Sequence, residues 1–149
     1  MSKSNWEGIG VKPSAPCAPV QALDVAEAMA LRKLADASAA PPEARVEYAW
    51  ARVAIEARLH PVTLPTAQLQ ALAAHYGQAG VGFGEIDVVF HDGSLWLNRP
   101  NRPTARLVPL TADGVFGIDG NEQLRARLTA KALELLWWDD PKPRVFARR

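Results

Sequence analysis

Cysteine is almost missing from this chain. Cys17 stands alone, so no intrachain disulfide can form. The three histidines, His60, His75 and His91, are scattered, so there is no Cys/His cluster at metal-ligand spacing; neither a disulfide scaffold nor a metal site is expected, and no cofactor. Long apolar runs are missing too. Nothing approaches the ~20 residues that a membrane helix needs, and residues 1–7 lack the apolar stretch of a signal peptide, so as written the chain is expected in the cytoplasm with no membrane contact. An excess of one charge is equally lacking: 17 Lys and Arg face 16 Asp and Glu, a net charge of +1. The one basic cluster is Arg148-Arg149 at the chain end, so nucleic acid is not an expected partner.

What is present is the composition of a globular protein. The chain has 149 residues, 48% hydrophobic and 22% charged, enough for one compact domain or two very small ones. Residues 1–20, with Pro13, Pro16 and Pro19, read as an arm, with a short strand at 9–11. From 21 to 36, Leu23, Ala26, Ala30 and Leu34 recur at helical steps, widened by Val25 and Met29. A second helix is predicted over 42–59, with a stripe of Val46, Trp50, Val53 and Ala57 beside Ala49 and Ile55, opened by Pro42 and ended by His60-Pro61. A short third helix through Leu69 and Leu72 is predicted to stop at Tyr76-Gly77.

The period then changes from 3.6 to 2. Ile86, Val88 and Phe90 alternate with Asp87 and Val89, and Asp92-Gly93 favours a tight hairpin into 95–97. Short runs follow at 106–110, 115–118, 124–128, 133–138 and 144–147. The stretch 128–138 has helical propensity as well, but it is assigned to a strand because its neighbours need a partner. No internal repeat is found. The expected fold class is α+β: two to three N-terminal helices followed by a small antiparallel β meander or partly closed barrel. The expected division is 1–60 for the arm and helices and 61–149 for a helix plus a small antiparallel β-domain.

Candidate chemistry is sparse. Ser2, Ser4, Ser14, Ser38 and Ser94 all lack a glycine-flanked strand-to-helix elbow, and Ser94 is explained by its hairpin turn. Cys17, between Pro16 and Ala18, has nothing near it to lower its pKa. His60 and His75 sit near predicted helix ends and His91 at a hairpin. Glu85, Asp87, Asp92, Asp139 and Asp140 show no calcium-loop spacing. Gly77, Gly80, Gly82 and Gly84 precede a strand rather than open a helix, so they do not cradle a phosphate. Of Trp6, Trp50, Trp96, Trp137 and Trp138, the last two are the expected binding residues: adjacent strand positions face opposite ways, so one ring is expected buried and the other exposed.

The run Asn5-Trp6-Glu7-Gly8-Ile9-Gly10-Val11-Lys12-Pro13, followed by Ala22-Leu23-Asp24-Val25-Ala26, resembles the late part of the catalytic domain in tail-specific serine peptidases, the family that includes tricorn and the retinoid-binding repeats of the interphotoreceptor protein. There a segment Trp-Glu-Gly-x-Gly-Val-x-Pro-Asp precedes a helix beginning Ala-Leu-x-x-Ala. Ser14 departs from that pattern, standing where the family usually has Asp. The later Ile55 to Val62 and Tyr76-Gly77 look like the family's junction with a small appended β-domain. The resemblance implies the carboxy-terminal part of a peptidase, with the nucleophile and its base upstream and therefore no proteolysis by this chain alone. It implies Glu7 as a charge-relay carboxylate and a periplasmic or secreted parent. The implied partner is an upstream peptidase half; separately from the resemblance, the unpaired strand at 9–11 is expected, on a third reading, to pair the arm with another chain's sheet and make the free chain self-associate. Independently of the resemblance, a stand-alone module that binds a peptide or apolar ligand at Trp137 or Trp138 is the competing expectation.

Overall fold

The computed structural model describes residues 15–37, 40–77 and 84–149. Glu7, the predicted strand at 9–11, Ser2, Ser4, Ser14, Ser38, Gly80 and Gly82 lie outside the described residues. A turn of 3-10 helix at Pro19–Gln21 leads into α1 (Ala22–Asp36), which pairs with α2 (Pro42–Leu59) as a hairpin. Pro42 opens α2, where a missing amide proton leaves no bond unmade. Arg58 near the end of α2 donates from Nε and Nη2 to Asp24 Oδ1 at 2.9 and 2.7 Å, tying it to the start of α1. Short α3 (Thr66–Leu72) follows.

The remainder is a closed antiparallel barrel of eight strands, each paired with the next along the chain. They are β1 (Ala74–Gly77), β2 (Glu85–His91), β3 (Ser94–Asn98), β4 (Ala105–Pro109), β5 (Val115–Ile118), β6 (Asn121–Leu128), β7 (Ala132–Trp137) and β8 (Asp140–Arg148). Closure is the pairing of β1 with β8, Tyr76 opposite Arg148 and Gly77 opposite Ala147. The fold is thus α+β with N-terminal helices and a barrel, closed rather than partly closed. Eight strands enclose a space that side chains can fill. Ile86, Val88, Leu95, Leu97, Leu107, Phe116, Ile118, Leu124, Ala126, Leu133, Leu135 and Phe146 do so, all of them buried. Leu64, Leu69 and Leu72 bring the α3 region into the same core at the end where β1 begins. There Arg148 Nη1 donates to the Ala71 carbonyl at 2.8 Å, satisfying a backbone acceptor at the end of α3.

Two sequence expectations are corrected. The third helix stops at Leu72, not at Tyr76-Gly77; residues 74–77 are β1, whose pairing with β8 closes the barrel. The Tyr76 side chain is fully buried, and its hydroxyl donates to the Leu72 carbonyl at 2.7 Å. Burial of Tyr76 on the inner face of the barrel outweighs the helical tendency of the preceding residues. The predicted stripe of α1 is not its buried face. Ala28 is the buried residue of α1, whereas Leu23 is 70% and Leu34 46% exposed; on α2, Ile55 is buried and Val46 half exposed. A small alanine lets the two helices approach closely, and Leu23 and Ala30 are turned toward a cleft beside the barrel. The stretch 128–138 is a strand and its flanking turns, as expected: β7 pairs with both β6 and β8.

Candidate functional site

Among the described residues, one end of the barrel is covered by the α3 region and the other is open. At the open end lie the β3–β4, β5–β6 and β7–β8 turns, around a pocket of about 610 Å³. Its floor is the upper layer of the core, Ile86, Leu124, Leu135 and Phe146, with Trp137 on the wall; Arg99, Asn101, Arg102 and Asn121 form the polar part of the lining. That combination of apolar floor and a few convergent polar groups, at a volume inside the range of about 300–1,000 Å³, is typical of small-ligand sites.

Local sequence dictates how the arginines reach it. Asn98-Arg99-Pro100-Asn101-Arg102-Pro103 is a tandem of one tripeptide, which corrects the expectation of no internal repeat. Within it the Arg102 amide donates to the Arg99 carbonyl at 3.2 Å, Pro100 supplies a fixed φ, and Asn101 takes a positive φ of 56°. Proline second and a left-handed asparagine third are the signature of a type II turn. Below the turn, Thr104 Oγ1 donates to Asn98 Oδ1 at 2.7 Å and pins the loop base across β3 and β4. The result places two guanidinium groups on one short turn at the barrel mouth.

Arg99 Nε is buried with no hydrogen-bond partner among the described residues. Burial, with a smaller contribution from the positive charge of Arg102, pushes the Arg99 pKa down. None of the described residues lining the pocket is acidic. A buried donor without a partner carries a desolvation penalty that a bound acceptor would remove.

The two candidate tryptophans part company at the end of β7. Trp137 lines the mouth pocket and lies under Arg144, whose guanidinium carbon is 4.8 Å from the ring centroid. Trp138, in the following turn, lines a second cleft of about 730 Å³ between the helical hairpin and the barrel. Neither ring is freely exposed: both are half-buried, which corrects the expected buried-and-exposed pair. The cause is the turn at Trp138, where a strand's strict alternation ends, and the hairpin lying over that side. In the cleft, Arg125 lies 3.8 Å over the Trp50 ring and donates from Nη2 to the Trp50 carbonyl, while Trp50 Nε1 donates to the Glu122 carbonyl at 2.8 Å. Burial lowers the Arg125 pKa to about 10. This pair is a fastening between hairpin and barrel and has no reactive group.

Among the described residues, the remaining polar groups form no pair of nucleophile and base. His75, predicted near a helix end, lies instead on β1 directly across from Asp87. Its Nδ1 is 2.6 Å from Asp87 Oδ1 and its Nε2 3.2 Å from Glu85 Oε2, and the hydrogen bond to Asp87 is the largest of the effects raising its pKa. His91 pairs with Asp92. Cys17 is a free thiol before the first helix. Among the described residues no hydrogen bond joins a serine or cysteine to a histidine, no group of three ligating side chains is arranged for a metal ion, and no helix is long and apolar enough to cross a membrane.

Arg99 and Arg102 escape a search for nucleophiles, ligand clusters and aromatics. The signal that could have found them is the tandem Asn-Arg-Pro between two strands, a turn motif that repeats its cation. Comparison of the chain with family models, curated proteins and solved structures yields no match.

Proposed function

We propose that this chain is the carboxy-terminal, non-catalytic part of a tail-specific serine peptidase, with the helical hairpin ending the peptidase domain and the barrel appended as a binding module. The observation that carries the reading is the ordered run from Trp6 to Pro13 followed by the Ala-Leu-x-x-Ala start at Ala22, which is the first residue of α1. One further feature supports it. The helical hairpin leaves Leu34 and Val46 46% and 53% exposed, apolar side chains that further protein could cover.

The chain alone is expected to leave an unstructured peptide uncut. Hydrolysis that disappears on Ser94→Ala would overturn the reading. So would genomic sequence preceding the codon for Met1 that encodes no serine-bearing peptidase half. In a protein that includes that half, Glu7→Gln is expected to lower kcat with little change in KM. The mouth pocket favours a second reading, a binding module that acts by itself.

A further inference from the structure

We infer that the open end of the barrel is a binding site for an organic carboxylate attached to an apolar group, with Arg99 as its anion-binding residue and Arg102 as its rim cation. The inference goes beyond the peptidase reading and does not depend on it, since every residue involved belongs to the barrel and its β3–β4 turn.

Three features of the pocket define the ligand. A buried guanidinium nitrogen with an unused proton asks for an acceptor, and two cations without an acidic residue among the described lining ask for a negative one. The planar fork of arginine matches the two coplanar oxygens of a carboxylate. A single charge spread over those oxygens also costs less to desolvate against this floor than a phosphate dianion would. Beyond the cations the lining includes Ile86, Leu124, Leu135, Trp137 and Phe146, so an apolar group behind the carboxylate gains from burial against them. Asn101 and Asn121 offer side-chain amides at the rim.

The turn holds the site in place. Pro100 fixes one backbone torsion, and the Thr104–Asn98 bond holds the loop base, so Arg99 is positioned before a ligand arrives and less ordering remains to be done on binding. Such a carboxylate has two natural sources, a fatty acid and the free end of a peptide chain with an apolar last residue. Both present the same chemistry to Arg99.

The test is isothermal titration of the whole chain with four probes: octanoate, octanol, a short peptide ending in Leu with a free carboxylate, and the same peptide as its C-terminal amide. At least one acid is expected to bind, with its uncharged counterpart weaker by about tenfold or more. Arg99→Met should reduce binding of that acid by a similar factor while leaving the circular dichroism spectrum unchanged. Binding of octanoate alone assigns the site to fatty acids, and binding of the peptide alone assigns it to chain ends. The inference is overturned if neither acid binds, if the uncharged counterparts bind as tightly, or if folded Arg99→Met binds like the parent. Should Arg99→Met fail to fold, Arg102→Met decides: a loss of acid affinity of about threefold or more, reduced by added salt, supports the site, and no loss refutes it.

Discussion

His75 is held between two carboxylates on the outer surface of the barrel, across the β1–β2 pairing. Both neighbours favour the imidazolium, Asp87 most through its hydrogen bond, so the folded chain holds His75 above the ordinary value of about 6.5. A group whose pKa rises on folding stabilises the folded state fully below its unfolded pKa, and that stabilisation is lost as pH rises through the folded value. The urea midpoint of the parent is therefore expected to fall as pH is raised upward from about 6.5, and His75→Gln should remove that part of the slope. Asp87→Asn should remove more of it than Glu85→Gln. An unchanged slope in His75→Gln would show that the contact is fully screened by solvent. The residue was visible in the sequence, but its role was not. With residues 74–77 read as a helix end, nothing placed His75 opposite Asp87; the same pairing is evident once β1 is a strand, because both residues then point outward at one register position. Arg99 was hidden for a different reason. Its significance lies in an absent partner, and the tandem Asn-Arg-Pro marks the turn without showing that Arg99 Nε is left unpaired.

Among the elements, the β-hairpins were the most legible. Alternation of Ile86, Val88 and Phe90 with the exposed Asp87 and Val89 is the physical signature of a strand with one face inward, and Asp92-Gly93 gives the turn, with both residues at positive φ, 48° and 73°. The helical hairpin was less legible, because alanines make several faces of α1 nearly equivalent in apolar character and only packing selects the one that carries Ala28. The turns also differ in what they tolerate. At Gly93 a methyl group would meet nothing within 4 Å, so Gly93→Ala bears only the strain of a left-handed alanine, about 1–2 kcal/mol. At Gly114, with φ of 91°, it would lie 2.6 Å from the Leu128 carbonyl oxygen. That oxygen belongs to the backbone of β6, whose Leu128 amide already donates to the Gly114 carbonyl at 2.9 Å, so it has little room to move. Gly114→Ala should add overpacking of about 1–3 kcal/mol to the same torsional strain. Urea unfolding of the two variants, at equal m-values, should therefore rank Gly114→Ala clearly below Gly93→Ala; equal losses would mean that the β4–β5 turn yields.

For the molecule as a whole, the question is whether hairpin and barrel fold together or separately. The hydrophobic core binds α3 to the barrel: Leu64, Leu69 and Leu72 belong to one buried cluster with Tyr76, Phe116, Leu133 and Phe146. The hairpin contributes no residue to that cluster. It is fastened instead at Trp50, through one indole hydrogen bond, one arginine hydrogen bond and one cation–π contact. Beside that fastening lies an open cleft of about 730 Å³ rather than packed side chains. Interactions of this kind are worth about 1–3 kcal/mol each at most, and Arg125 would regain hydration once uncovered. A chain of residues 61–149 should therefore fold by itself, with coincident fluorescence and circular dichroism transitions in urea. Its stability should be only a few kcal/mol below that of the whole protein, and its mouth pocket should be intact. Removing residues 146–149 instead takes away the fully buried Phe146 and the β1–β8 pairing together. That leaves two strand edges and a gap in the core, and the transition should broaden or vanish. If residues 61–149 prove unfolded while the whole chain is cooperative, the hairpin is part of the folding unit and Trp50 is its keystone. If they fold, the barrel is a module that stays intact whatever the hairpin is joined to, as both functional readings require.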